Sequence, residues 1–143
     1  MNIRVISIGS SNLDFAERGV IEYVKRIQRF ANLEIFTVKE GKRTNEDIMK
    51  ACEGRFVIVL DEHGTQYDSN GFASFLEHKR DQSISLAFVI GGPDGHTKEI
   101  QERADHTLSL SLMTFPHDLA KTLLLEAIYR SLTIMHGHPY HRS

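Results

Sequence analysis

Phe56-Val57-Ile58-Val59-Leu60 is an unbroken apolar run. A strand with one wet face alternates apolar and polar residues. A run without alternation belongs to a parallel strand covered on both faces. That segment demands helices on both sides of a sheet, and the rest of the chain supplies them. Strand-like stretches at 3–8, 33–38, 56–60, 84–90 and 106–110 alternate with helix-like stretches at 13–30, 45–52, 69–81, 97–104 and 118–136. The alternation predicts an α/β fold with a mostly parallel sheet flanked by helices. The 143 residues fit a single domain over 1–143.

Helical spacing assigns faces. Ser11 or Asn12 is the expected cap of the first helix. Phe15, Val20, Tyr23, Val24 and Ile27 form its apolar side. Lys25, Arg26 and Arg29 lie opposite, either as a solvated face or as phosphate contacts. The last helix carries Leu119, Ala120, Leu123, Leu124, Ala127, Ile128 and Leu132 on a broad apolar face, read as core or as a dimer seam. Thr122, Glu126, Arg130 and Thr133 form a polar stripe opposite.

Charge narrows the function classes. A formal net charge of −2 excludes a generic polyanion binder, so any nucleic-acid footprint must be local. The lone Cys52 excludes an intrachain disulfide and fits a reducing, cytoplasmic setting. No apolar stretch nears membrane-spanning length, so no membrane partner is expected.

Three stretches carry candidate chemistry. Ile90-Gly91-Gly92-Pro93-Asp94-Gly95 is a glycine turn at the end of a buried strand, where open α/β sheets bind small ligands. Ser109-Leu110-Ser111-Leu112-Met113-Thr114-Phe115-Pro116-His117 is an apolar loop leading into a helix. Its backbone groups suit the edge of a flat ligand such as adenine, with Leu110, Leu112 and Met113 over its faces; a connection satisfied within the protein is the other reading. The tail 136–143 holds three of the eight histidines, as general-base candidates or as a frayed end. Asp61, Glu62 and His63 have metal-ligand chemistry, but adjacent residues converge poorly on one ion, and no metal is expected.

The glycine turn, residues 110–117 and the ending His138-Pro139-Tyr140-His141-Arg142 together resemble the RlmH family, SPOUT-superfamily methyltransferases of ribosomal RNA. The resemblance spans nearly the whole chain, including Gly41-Lys42-Arg43 and Val59-Leu60-Asp61. It implies a SPOUT-type α/β knot with a C-terminal trefoil, a homodimer, and S-adenosyl-L-methionine as cofactor. It implies methylation at N3 of a pseudouridine in a stem-loop of 23S rRNA, within the ribosome. Carried over by position, the cofactor contacts are Leu60, Gly92, Leu110, Ser111, Leu112, Met113, Thr114 and Phe115, and the functional tail is Tyr140, His141 and Arg142. His96 departs from the pattern where an apolar residue is expected, and the segment 42–54 is short. An imide N3 must lose its proton for methylation; His141 or Tyr140 is the expected base and Arg142 the partner of a charge or phosphate. Two competing readings are a nucleotide-binding doubly wound enzyme, which lacks its glycine fingerprint here, and a non-catalytic RNA-binding module.

Overall fold

A computed structural model of the chain describes residues 1–9 and 12–142. Five strands alternate with five helices: β1 (Asn2–Ile8), α1 (Asp14–Ile27), β2 (Asn32–Val38), α2 (Thr44–Ala51), β3 (Phe56–Thr65), α3 (Ser69–Asp81), β4 (Leu86–Ile90), α4 (Lys98–Arg103), β5 (His106–Leu108) and α5 (His117–Met135). The sheet order is β2-β1-β4-β3-β5, and all pairings are parallel.

The apolar strands bury both faces. Ile3, Val5, Ile58, Leu86, Phe88 and Ile90 point into a core closed by α1, α3 and α5. Ile6, Val57, Val59, Ala87 and Val89 point the opposite way, against Ile48 and Ala51 of α2 and Ile100 of α4. The alternation along each strand thus runs between two cores, which is why no polar residue interrupts 56–60.

α5 lies between α1 and α3 on the first face. Gly19 of α1 lets the two helices close up: a Cβ there would sit 2.7 Å from Cγ2 of Thr122. Thr122 cannot swing aside freely, because its hydroxyl bonds the carbonyls of Ala16 and Asp118 at 3.0 and 3.1 Å. The polar stripe of α5 is therefore only partly solvated. Thr133 is fully buried, its hydroxyl donating to the Arg130 carbonyl at 2.6 Å. Leu123 and Phe15, expected inside, are exposed, the latter at 61%.

One helix start and one strand end differ from expectation. Ser11, one cap candidate, lies outside the described residues. The cap position of α1 falls on Leu13, and Asn12 instead donates its backbone N–H to Asp118 of α5 at 2.8 Å. β3 runs on to Thr65 because residues 61–64 form an irregular excursion: Leu60 and Thr65 both pair with Leu108. Gly64 allows this, since a Cβ would meet the Thr107 backbone at 2.7 Å.

At the amino end of the sheet, arginines tie strands to connections. Arg4 donates to Glu34 and to the Ala51 carbonyl; Arg55 donates to Glu34, Asn2 and the Leu86 carbonyl. Arg103 reaches Asp105 and the carbonyls of Cys52 and Arg55, while Asp105 accepts the N–H of Val57. Cys52 is a buried free thiol, and burial pushes its pKa up. Among the described residues no helix is long and apolar enough to cross a membrane.

Candidate active site

The carboxyl ends of β3, β4 and β5 open into a cleft of about 810 Å³. Its floor is the glycine turn. Pro93 sits at the second position of a tight turn closed by Gly95 N–H to the Gly92 carbonyl at 3.0 Å, and Gly95 takes φ 77°, which suits glycine. A side chain at Gly91 would lie 3.1 Å from the Gly95 carbonyl carbon, whereas one at Gly92 would only touch Ile8 at 3.7 Å.

The opposite wall is the loop after β5, which ends at Leu108, shorter than the sequence suggests. From there the chain organises itself locally. The Ser109 hydroxyl donates to the Ser111 carbonyl at 2.9 Å, and the Ser111 hydroxyl accepts the Met113 N–H at 3.0 Å. These bonds turn Leu110, Ser111, Met113, Thr114 and Phe115 along the cleft. Leu60 and Gly92 join them; Leu112, 75% exposed, lies outside the lining. Met113, also exposed, presents an apolar group at the rim.

His96 is the residue the pattern did not lead one to expect. Its Nε2 lies 2.7 Å from the Leu60 carbonyl, so Nε2–H donates and ties the β4–α4 loop to the end of β3; its Nδ1 is buried without a partner. Asp61, Glu62 and Asp94 bring carboxylates to the same cleft. The ligand-type atoms of Asp61, Glu62 and His63 lie within 4.8 Å of one another, because the excursion in β3 folds the three adjacent residues together. His63 donates its N–H to Asp61 at 2.8 Å, an intra-loop bond.

His117 and Asp118 begin α5 at the back of the cleft. His117 Nε2 is 3.1 Å from Asp118 Oδ1, and Asp118 is buried. His117 also borders a second groove of about 630 Å³ between α1 and the ends of β1 and β2, lined by Val20, Ile21, Val24 and Lys121. Burial lowers the Lys121 pKa against the opposing pull of Asp118 and Glu17.

The described tail residues, 136–142, stand elsewhere. α5 ends with Gly137 at φ 68°, its N–H on the Ile134 carbonyl and that of His138 on the Thr133 carbonyl, a glycine-terminated cap that turns the chain back. Tyr140 then packs edge-on against Tyr129 at 4.7 Å, under the Arg130 guanidinium at 4.9 Å. Its hydroxyl is 3.4 Å from Glu126. Burial first, then Tyr23 and the Glu126 charge, hold the phenol well above its usual range. His141 Nδ1 lies 3.1 Å from Arg130 Nη1. A guanidinium only donates, so this nitrogen accepts and the neutral ring carries its proton at Nε2. Arg142 is exposed. From Ala120 at the cleft to Arg130 beside the tail is about 15 Å along the helix, and none of the three tail residues lines the cleft in its own chain.

Comparison with known proteins agrees with this architecture. A family model described as predicted SPOUT methyltransferase matches residues 1–141. A protein named ribosomal RNA large subunit methyltransferase H from Geobacter sulfurreducens is 38% identical, covering 99% of each chain. A protein of the same name from Thermus thermophilus is 38% identical over 99% of each. Among solved structures, a probable methylase family protein from Haemophilus influenzae superposes with a TM-score of 0.63 at 12% identity, over 99% of this chain and 71% of the other. The SpoU methyltransferase AviRb from Streptomyces viridochromogenes, in complex with AdoMet, gives 0.51 at 13% identity, over 90% and 57%. At such identities these two structures speak to fold alone.

Proposed function

The chain belongs to the SPOUT methyltransferase family, and on that footing we propose that it methylates large-subunit ribosomal RNA with S-adenosyl-L-methionine, its target atom being N3 of a pseudouridine in a 23S stem-loop. The observation that carries the reading is one cleft at the carboxyl ends of the strands, walled by the apolar loop 109–116 and the glycine turn, in a chain similar over its whole length to enzymes of that name.

The residues fit the cofactor. Leu110, Met113 and Phe115 offer apolar cover to adenine, the glycine turn lets backbone approach closely, and Asp61, Glu62 and Asp94 suit a cationic sulfonium. When bound, S-adenosylmethionine supplies an electrophilic methyl group and needs no metal to activate it. The chain's own part is to hold the nucleotide in line, exclude water and remove a proton. The C-terminal trefoil knot that the family resemblance implies belongs to this reading.

The tail residues Tyr140, His141 and Arg142 serve the RNA in this reading. Tyr140 keeps its proton and so donates; His141 presents Nε2–H; Arg142 is free to reach a phosphate. Their distance from the cleft supports a homodimer in which each tail serves the other subunit's site. Ile21, 64% exposed beside the groove on α1, is apolar surface of the kind such an interface covers. A target base must leave its stack to expose N3. The test is transfer of labelled methyl to ribosomes from cells lacking this protein, followed by nucleoside mapping; label in any nucleoside other than a 23S pseudouridine overturns the assignment.

A further inference from the structure

Resting on that methyltransferase reading, we infer that His117, oriented by Asp118, is the base that accepts the N3 proton. The tail does not supply one as it stands. The Tyr140 phenol is held protonated, and the lone pair of His141 at Nδ1 is taken by Arg130. Within the cleft, His96 spends Nε2 on the Leu60 carbonyl and its Nδ1 is buried from solvent. The carboxylates of Asp61, Glu62 and Asp94 are weak bases toward an imide, whose proton binds far more tightly than theirs. His117 differs on each point. It lines the cleft, keeps part of its surface open, and rests on a buried carboxylate.

Hydrogen bonding fixes its tautomer. Asp118 Oδ2 accepts the Asn12 N–H at 2.8 Å, and Asp118 Oδ1 faces His117 Nε2 at 3.1 Å. A carboxylate accepts only, so Nε2 carries the ring proton and Nδ1 keeps its lone pair. In the reaction the N3–H bond breaks with its proton going to Nδ1. The N3 electron pair forms the bond to the methyl carbon, and the electrons of the broken methyl–sulfur bond stay on sulfur, which leaves as a neutral thioether. The imidazolium formed is held by the Asp118 carboxylate and later yields its proton to water. Asp118 touches His117; the other charged and titratable groups that border the same cleft or groove are Lys121 of α5, Glu17 and Lys25 of α1, Asp61 and Glu62 of β3, and Asp94 and His96 of the β4–α4 loop.

Asp118→Asn gives a decisive test. The amide oxygen must turn to the Asn12 N–H, so its NH₂ meets His117 Nε2, and the ring must switch to the Nδ1–H form. Nitrogen spectra of the histidine-labelled protein should show His117 protonated at Nε2 in the wild type and at Nδ1 in Asp118→Asn. Both Asp118→Asn and His117→Gln should bind S-adenosylhomocysteine within about 2-fold of wild type by calorimetry, which also reports folding. Methyl transfer to unmodified ribosomes should fall about 100- to 10 000-fold in both variants, and the rising limb of the pH–rate profile should vanish in His117→Gln. An Nδ1–H wild-type ring, or a His117→Gln variant with the wild-type rate and profile, overturns the assignment. If the wild type transfers no methyl at all, the functional reading falls and the inference with it, whatever the tautomer.

Discussion

Arg130 donates from Nη1 to Nδ1 of His141 across 3.1 Å, while its Nε and Nη2 hold Glu126 at 2.9 and 2.8 Å. One guanidinium therefore both fastens the tail to α5 and decides which ring nitrogen of His141 carries the proton. Arg130→Ala should release the tail and cost about 1–2 kcal/mol in urea unfolding, modest because the pair is partly exposed. Arg130→Lys should keep the pair with Glu126 but lose the bond to His141, because an ammonium lacks the planar fork. A lysine variant with wild-type stability and an unchanged His141 signal would contradict this division of roles.

Removing 139–143 should leave binding of S-adenosylmethionine intact, since the cleft is built upstream, and should cut methyl transfer by orders of magnitude through lost positioning. Arg142→Ala alone should weaken ribosome binding and flatten its salt dependence by about one phosphate contact. Full-rate transfer by the truncated protein would reduce the tail to a passive end.

Gly92→Val and Gly91→Val should part company. At Gly92 a Cβ makes an ordinary 3.7 Å contact with Ile8, so the variant should fold, yet lose cofactor affinity at least about 10-fold as bulk enters a loop that backbone must approach. At Gly91 the 3.1 Å approach to Gly95 forces the turn open, and melting should fall first. Calorimetry and thermal melts on the pair separate the two effects; unchanged affinity in folded Gly92→Val removes that loop from the cofactor site.

Gly19→Ala should destabilise the protein by about 1–3 kcal/mol, through overpacking against a Thr122 methyl pinned by two hydroxyl bonds. Thr122→Ser removes that methyl and keeps the hydroxyl, so the double variant should recover most of the loss. Additive penalties in a double-mutant cycle would show that the contact is not the cause.

Acid should weaken the fold through His106. Its ring stacks on Phe75 at 5.1 Å, shares a 3.0 Å hydrogen bond with the Tyr67 hydroxyl through Nε2, and burial, then Lys79, lowers its pKa. The unfolded chain therefore binds a proton first. Stability contributed by the neutral ring is present above an ordinary histidine pKa of about 6.5 and is lost as pH falls below it toward the folded value. His106→Gln should show a shallower loss between pH 7 and 5 in denaturant titrations.

Much of the sheet was legible because its strands carry continuous apolar runs, and α3 took its expected bounds, although its cap, Asp68, which accepts the Gly71 N–H at 2.7 Å, was not foreseen. Thr97 proved to be a cap and not a helical residue, as its hydroxyl accepts the Ile100 N–H. The excursion at 61–64 was hidden, since its sole local sign is Gly64, and the close approach that this glycine permits is to Thr107, distant in sequence. Thr133 misled because a hydroxyl that bonds its own helix can be buried like an alanine. The cleft loops could be named from residue pattern, but the pairing of His117 with Asp118 depends on Asn12 from the far end of the chain. The remoteness of the tail from its own cleft needed the helix between them.

The arginines at the amino end of the sheet give the molecule a slow end and a fast end. Arg4, Arg55 and Arg103 stitch Asn2, Ala51, Cys52 and Leu86 across strand starts and connections, so opening there must break several charge-assisted bonds together. At the opposite end the bonds among the described residues lie mostly within single loops, such as Ser109 to Ser111 and Gly95 to Gly92, with His96 to the Leu60 carbonyl joining two of them. Amide protons should therefore trade with deuterium from the glycine turn and the 109–116 loop long before those at the starts of β1, β3 and β4. The loops can then rearrange around a ligand while the sheet beneath keeps its register.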